Sequence, residues 1–291
     1  LGKLEYKTLH ITDELAYKMI LKRITPRPEL QNLIDTFWIF ENDFGVPTED
    51  SRVIAPNGKP KFIYSYLNSL STIDNGVQTD YNEQDLFFIG IWDKPVTLSS
   101  KSRITGTIGI ELTPNGLHRF TRLSALEIVN RIFSFSDIYG IAGRKLIEHL
   151  GNTPKLVNKI EVLQDFLVDI VNLNERNNTI IDYSVSLIKR SSGLVSLKEI
   201  ELQTGYSKRY IDLLFKDHLG ISPKTFSGII RFQSFYHIWA NTDNSKFYSQ
   251  NMYDLYYDQA HFIKEFKRFT GHTPMKYANL RNDFGKIFYK T

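Results

Sequence analysis

Two stretches of this 291-residue chain repeat one pattern 51 residues apart: Phe215-Lys216-Asp217-His218-Leu219-Gly220-Ile221-Ser222-Pro223 and Phe266-Lys267-Arg268-Phe269-Thr270-Gly271-His272-Thr273-Pro274. Each opens on Phe-Lys, reaches a glycine, and closes on Ser-Pro or Thr-Pro. Residue chemistry dictates the local geometry. Glycine takes the left-handed conformation that ends an α-helix. Ser or Thr then caps the next helix, and Pro occupies its first turn. Each copy therefore predicts a helix, a tight turn and a second helix.

Working outward from the first copy, Ser196-Leu197-Lys198-Glu199 is a capping box that opens a helix. Gly205 ends that helix and Ser207 caps the next. The spacing predicts a supporting helix over 196–204, a turn at Gly205-Tyr206 and a second helix over 208–218, which is a helix-turn-helix. On the second helix Ile211, Leu214 and Phe215 form the apolar stripe, with Lys208, Arg209, Asp212 and Lys216 opposite. In the second copy Asp258 is the cap. Phe262, Phe266 and Phe269 form the stripe at helical spacing, and Gln259, Ala260, Ile263, Lys264 and Lys267 point away.

These residues carry a family resemblance. The segment after about residue 178 resembles the DNA-binding domain of AraC/XylS-type bacterial transcription regulators. It does so through Gly205-Tyr206-Ser207 and the first repeat, then through Tyr256-Tyr257-Asp258-Gln259-Ala260-His261-Phe262, the second repeat and Tyr277. The resemblance implies two helix-turn-helix units joined by one long helix, here about Pro223–Ala240, each unit presenting one helix to the major groove. It departs from the family pattern at Leu255, where a turn glycine is usual, in the polar, aromatic stretch Tyr248–Asp254, and at Leu213, where the family often has Arg. The second unit is therefore expected to adjust its turn or to have a distorted or shortened first helix.

Two such helices would enter successive major grooves about 34 Å apart. Arg209 is the candidate for a guanine edge, and Gln259 for adenine or a phosphate. Lys208, Lys216, Lys264, Lys267 and Arg268 are expected on phosphates, which set affinity without specificity. Ser207, Tyr210, Asp212 and Ala260 complete the candidate DNA-binding set. His261 reads equally as a half-buried structural residue or a DNA contact.

Charge agrees with this division. Residues 1–175 hold 19 Lys and Arg against 22 Asp and Glu, a balance of −3, whereas 176–291 hold 17 against 10, a balance of +7. A basic small unit attached to a slightly acidic larger one suits a polyanionic partner. The polar run Asn172–Asn178 is the linker, dividing a β-rich unit over 1–175 from a DNA-binding unit over 178–291.

Residues 1–125 read mostly as β. Thr36–Phe40, Lys61–Leu67, Leu86–Ile91, Val96–Leu98 and Ile104–Leu112 are strand-like runs. They are punctuated by Pro56-Asn57-Gly58, Asp74-Asn75-Gly76 and Pro114-Asn115-Gly116. Asp13–Lys22 reads as a short helix or a continued strand. Helical spacing sets in from Pro114, with helices over 136–150 and 157–173. The fold class is thus α+β with two domains: a β-barrel or sandwich followed by helices, then an all-α domain.

The β-rich part resembles, more weakly, the cupin-like sensor domains of the same regulators, which bind an effector, dimerise, or both. Its aromatic residues are mostly core by default, and Trp38, Tyr64, Tyr66 and Trp92 are the candidates for lining an effector pocket. Arg52, Lys59 and Lys61 flank the candidate turn, where a surface role is favoured over contact with an acidic effector.

Other classes are excluded by what is missing. The absence of cysteine removes disulfides, thiolate zinc sites and cysteine nucleophiles. The seven histidines, His10, His118, His149, His218, His237, His261 and His272, show no ligand spacing, and none lies within 36–112. Neither a metal nor a cofactor is expected, and nothing suggests an enzyme. No apolar run has the length of a membrane span. The expectation is a cytoplasmic regulator that binds double-stranded DNA under control of a small-molecule effector. The resemblance implies RNA polymerase as partner if it activates, and homodimerisation is open. The rival reading is a regulator without a ligand, whose first domain dimerises or binds another protein.

Overall fold

The computed structural model describes residues 8–11, 19–42, 53–74, 76–114, 116–173, 178–241 and 250–280. Arg52, residues 13–18 of the Asp13–Lys22 segment, 174–177 of the linker and 248–249 of the aromatic stretch lie outside them.

The first half contains β1 (Thr8–Ile11), β2 (Met19–Ile24), β3 (Ile34–Asn42), β4 (Val53–Ile54), β5 (Lys61–Leu67), β6 (Ser71–Asp74), β7 (Val77–Asp80), β8 (Leu86–Ile89), β9 (Val96–Ser99), β10 (Thr105–Leu112) and β11 (Ile132–Ser134). Two antiparallel sheets result, ordered β1-β2-β3-β10-β5-β8-β11 and β4-β9-β6-β7. Two short helices, α1 (Leu117–Phe120) and α2 (Ala125–Ile128), precede β11. They are followed by α3 (Phe135–Asn152), interrupted at Gly140, and α4 (Leu156–Asn172).

The larger sheet is covered on both faces, so β3, β5 and β10 read as nearly continuous apolar runs. Their side chains still alternate. Phe37 and Ile39 of β3, Phe62 and Tyr64 of β5, and Ile108 and Ile110 of β10 pack with Leu146, Leu150, Leu163 and Leu167 of α3 and α4. The opposite residues, Trp38, Phe40 and Ile63, meet Ile54 and Leu98 of the smaller sheet. Gly109 stands opposite Trp38 in the register, and a β-carbon there would lie 2.0 Å from the indole ring. Its bare backbone is what lets the indole lie flat on β10.

The second half is helical: α5 (Thr179–Arg190), α6 (Leu197–Thr204), α7 (Lys208–Leu219), α8 (Pro223–Asn241), α9 (Gln250–Leu255), α10 (Gln259–Thr270) and α11 (Pro274–Asn279). The expected turns form as residue type requires: Gly205, Gly220 and Gly271 have φ of 74°, 75° and 78°. Helix α8 runs through the centre, burying Phe226, Ile229, Phe232, Phe235, Tyr236 and Trp239. Phe215 of the first repeat packs on Phe226, with centroids 6.0 Å apart. Phe262 and Phe266 of the second pack on Phe235 and Phe232 at 4.6 and 5.5 Å. One aromatic core thus carries both helix-turn-helix units.

The two halves touch. Ala55 and Ile91 of the β-rich half are buried within the helical core. The Gln233 side-chain amide donates to the Pro56 carbonyl, and Arg268 pairs with Asp93 at 3.3 Å. Among the described residues no helix is long and apolar enough to cross a membrane.

Candidate nucleic-acid interface and cavity

The first unit is assembled by its caps. The Ser196 hydroxyl accepts from Glu199 N while the Glu199 carboxylate accepts from Ser196 N, closing the capping box. The Ser207 hydroxyl accepts from Tyr210 N and so is spent on starting α7. Lys208, Arg209, Tyr210 and Lys216 are exposed, and Asp212 is half-buried. Lys216 lies 2.7 Å from Asp212 one turn away, which neutralises part of its charge. Lys208 and Arg209 form no ion pair among the described residues. Tyr210 packs beside Tyr206, with centroids 5.1 Å apart.

In the second unit the Asp258 carboxylate accepts from His261 N at 2.7 Å and starts α10. Gln259, Ala260, Lys264 and Lys267 are exposed, and neither lysine has a carboxylate partner among the described residues. Ile263 differs from expectation: it packs against the helical core rather than pointing away. His261 is half-buried, its ring 5.4 Å from that of Tyr256 and its Nε2 3.9 Å from Glu265. Arg268, expected on phosphate, pairs in this structure with Asp93 of the β-rich half. At the turn, Leu255 is buried and outside the left-handed region, and Tyr256 N donates to the Met252 carbonyl at 2.8 Å. The turn has adjusted by burying the leucine.

Between the two sheets lies a cavity of about 110 Å³. Trp38, Phe40, Ile63, Ile54, Val96 and Leu98 make its walls apolar, and Trp92 closes one side. Trp38 and Trp92 were expected here. Tyr64 and Tyr66 were too, but they point the other way. Alternation along β5 sends residues 62, 64 and 66 toward the helices, where Tyr64 lies under the Lys159 ammonium and Tyr66 donates to Glu41. Residues 61 and 63 face the cavity instead.

Lys59 and Lys61, expected on the surface, therefore stand at one end of the cavity with Glu111. Lys59 Nζ is 3.2 Å from Glu111 and 3.0 Å from Asp35, and Lys61 Nζ is 2.9 Å from Asn57 Oδ1. The Asn57 amide donates to the other Glu111 oxygen at 2.8 Å. Burial alone would raise the Glu111 pKa, but the Lys59 and Lys61 charges overcome it and hold the carboxyl down to about 2. Burial pushes Lys61 down, with Glu111 opposing and Lys59 adding to the fall.

The segments that line the cavity also touch the helical half. Pro56 and Asn57 form its wall, while Ala55 is in the helical core and Pro56 accepts from Gln233 of α8. Trp92 lines it between Ile91, in the same core, and Asp93, paired with Arg268.

The family described as "Domain of unknown function (DUF6597)" matches residues 22–134, which cover β3 to β11, the cavity and α1 and α2. No curated protein matches this chain. Among solved structures, ToxT from Vibrio cholerae is similar at 11% identity over 84% of this chain and 97% of that one, with a TM-score of 0.48. A ToxT structure from the same species with an unsaturated fatty acid bound is similar at 11% identity over 84% and 95%, with a TM-score of 0.47. A predicted oxalate decarboxylase from Thermotoga maritima is similar at 12% identity over 37% of this chain and 93% of that one, with a TM-score of 0.28.

Proposed function

We propose that the chain is a sequence-specific DNA-binding regulator of the AraC/XylS type, working in the cytoplasm, in which 178–291 binds double-stranded DNA and 1–175 takes a small effector. The observation that carries this reading is the pair of capped helices, α7 and α10, fixed on one aromatic core. Each presents cations without a carboxylate partner among the described residues: Lys208 and Arg209 on one, Lys264 and Lys267 on the other. Arg209 reads a base; Lys208, Lys264 and Lys267 hold phosphates. A salt titration of the full chain on specific and scrambled duplexes tests it. Affinity should fall steeply with salt. Arg209→Ala should cost roughly 1–3 kcal/mol on the specific duplex alone. Lys267→Ala should weaken both duplexes alike and reduce the salt slope by about one. Salt-independent binding, or discrimination lost with Lys267 rather than Arg209, refutes the assignment.

The cavity supports the effector half of the reading. Apolar walls with a charge-balanced polar cluster, Lys59 and Lys61 against Glu111 and Asp35, suit a small, largely apolar molecule with a hydrogen-bonding group. Its occupancy would reach the DNA-binding half directly, because the 55–57 and 91–93 segments belong to both the cavity wall and the junction.

A further inference from the structure

Apart from these sites, the described residues gather one group of three metal-ligating side chains, and it sits at the junction. His118 of α1 and His218 in the last turn of α7 have ring centroids 4.0 Å apart with planes inclined by 48°. The Asp217 carboxylate lies 3.8 Å from His218 Nε2. One donor atom from each of the three lies within 4.8 Å of the other two. His118 is buried and His218 is 14% exposed, whereas Asp217 is exposed. The cluster is thus walled by protein on its imidazole side and reachable from solvent on its carboxylate side.

Hydrogen bonding settles one tautomer. Asn178 Oδ1 accepts from Ile180 N and Ile181 N at 3.1 and 3.3 Å as the cap of α5. That orientation turns its NH2 toward His218 Nε2, 3.3 Å away. An amide NH2 only donates, so His218 Nε2 carries a lone pair and Nδ1 the proton. His118 Nε2 faces the Asp217 carbonyl at 3.1 Å and donates to it. Coordination through the two Nε2 atoms would exchange these two hydrogen bonds for metal bonds and move the His118 proton from Nε2 to Nδ1, with no net proton released.

We propose that His118, His218 and Asp217 bind one divalent transition-metal ion of the zinc type, bridging the β-rich half to the end of the first recognition helix. Two imidazoles and a carboxylate suit zinc, with water in the fourth position, whereas magnesium and calcium favour all-oxygen sets. Zinc–ligand distances of about 2.0–2.2 Å place tetrahedral donors roughly 3.3 Å apart, so the side chains must draw in slightly. A bound ion would pin α7 to α1 and fix the bearing of Lys208 and Arg209 against the β-rich half.

Calorimetric titration of the full chain, freed of metal with chelator, tests this with zinc chloride, using cobalt chloride as an optical probe and magnesium chloride as control. The expected result is one zinc per chain at micromolar affinity or tighter, a visible tetrahedral cobalt band and no magnesium binding at the same concentrations. Zinc should also raise the melting temperature by mass action. Asp217→Asn should weaken zinc binding roughly tenfold, and His118→Ala or His218→Ala by roughly a hundredfold or more. Asp217 is exposed, so its variant reports even if a histidine variant fails to fold. No saturable binding at one equivalent in the folded chain, or zinc affinity in Asp217→Asn equal to that of the unaltered chain, overturns the proposal.

Discussion

The two repeats share their residue pattern and differ in what surrounds it. Gly220 and Gly271 hold the same place in each and have nearly the same φ. A β-carbon at Gly220 would lie 2.5 Å from the Ala125 carbonyl oxygen of α2, whereas at Gly271 its nearest neighbour is Pro95 Cγ at 4.0 Å. The first glycine both ends a helix and lets the β-rich half approach; the second only ends a helix. At the other turn the contrast reverses, with Gly205 open to solvent and Leu255 sealed in the core. One motif is thus anchored from its C-terminal end, the other from the turn before α10.

The change that should break this contrast most severely is Leu255→Gly, which restores the glycine that the family pattern favours. The backbone there has no need of it. Losing a buried leucine costs roughly 2–5 kcal/mol, and the added chain entropy about 0.5–1 kcal/mol more. Chemical denaturation should show the loss, and a gain in stability would mean the turn is built otherwise. Gly220→Ala ranks next, at about 2–3 kcal/mol, because about 1 kcal/mol of left-handed strain is joined by displacement of the α2 backbone. Gly271→Ala, measured in the same way, should cost only about 1 kcal/mol. Equal costs at the two glycines would abolish the distinction between the units. Smallest is Asp93→Asn: the pair is partly exposed, so stability should change by less than about 1 kcal/mol. Freeing Arg268 for phosphate should strengthen low-salt DNA binding roughly twofold to fivefold, and weaker binding would show that the pair aids the bound form.

The helical half was legible because its turns are spelled by residue type. Ser196 and Ser207 favour the cap that starts a helix, Gly205, Gly220 and Gly271 reach the left-handed conformation that ends one, and the helices begin and end within a residue or two of where those letters put them. The cavity was harder to read. On β5, aromatic content pointed to Tyr64 and Tyr66, but both faces of the strand are covered, so composition cannot tell one face from the other. Pairing decides it: Lys61 stands opposite Glu111, and Gly109 opposite Trp38. Lys59 and Lys61 looked like surface residues because their partner, Glu111, is about 50 positions away. His118 and His218 met the same obstacle at 100 positions. Local chemistry writes caps and turns into neighbouring letters, whereas a charge pair or a ligand set is written only in the folded contacts.

The distance between α4 and α5 along the chain has a consequence for switching. Only six residues, 173–178, separate the end of one helix from the start of the next. A tether that short holds the two halves at an effective concentration of order millimolar. Contacts such as Arg268–Asp93 and Gln233–Pro56 then need only a millimolar intrinsic affinity to keep the halves together about half the time. A junction near that balance would respond to small pushes. A ligand with a tenfold preference for one arrangement contributes about 1.4 kcal/mol, enough to make that arrangement predominate.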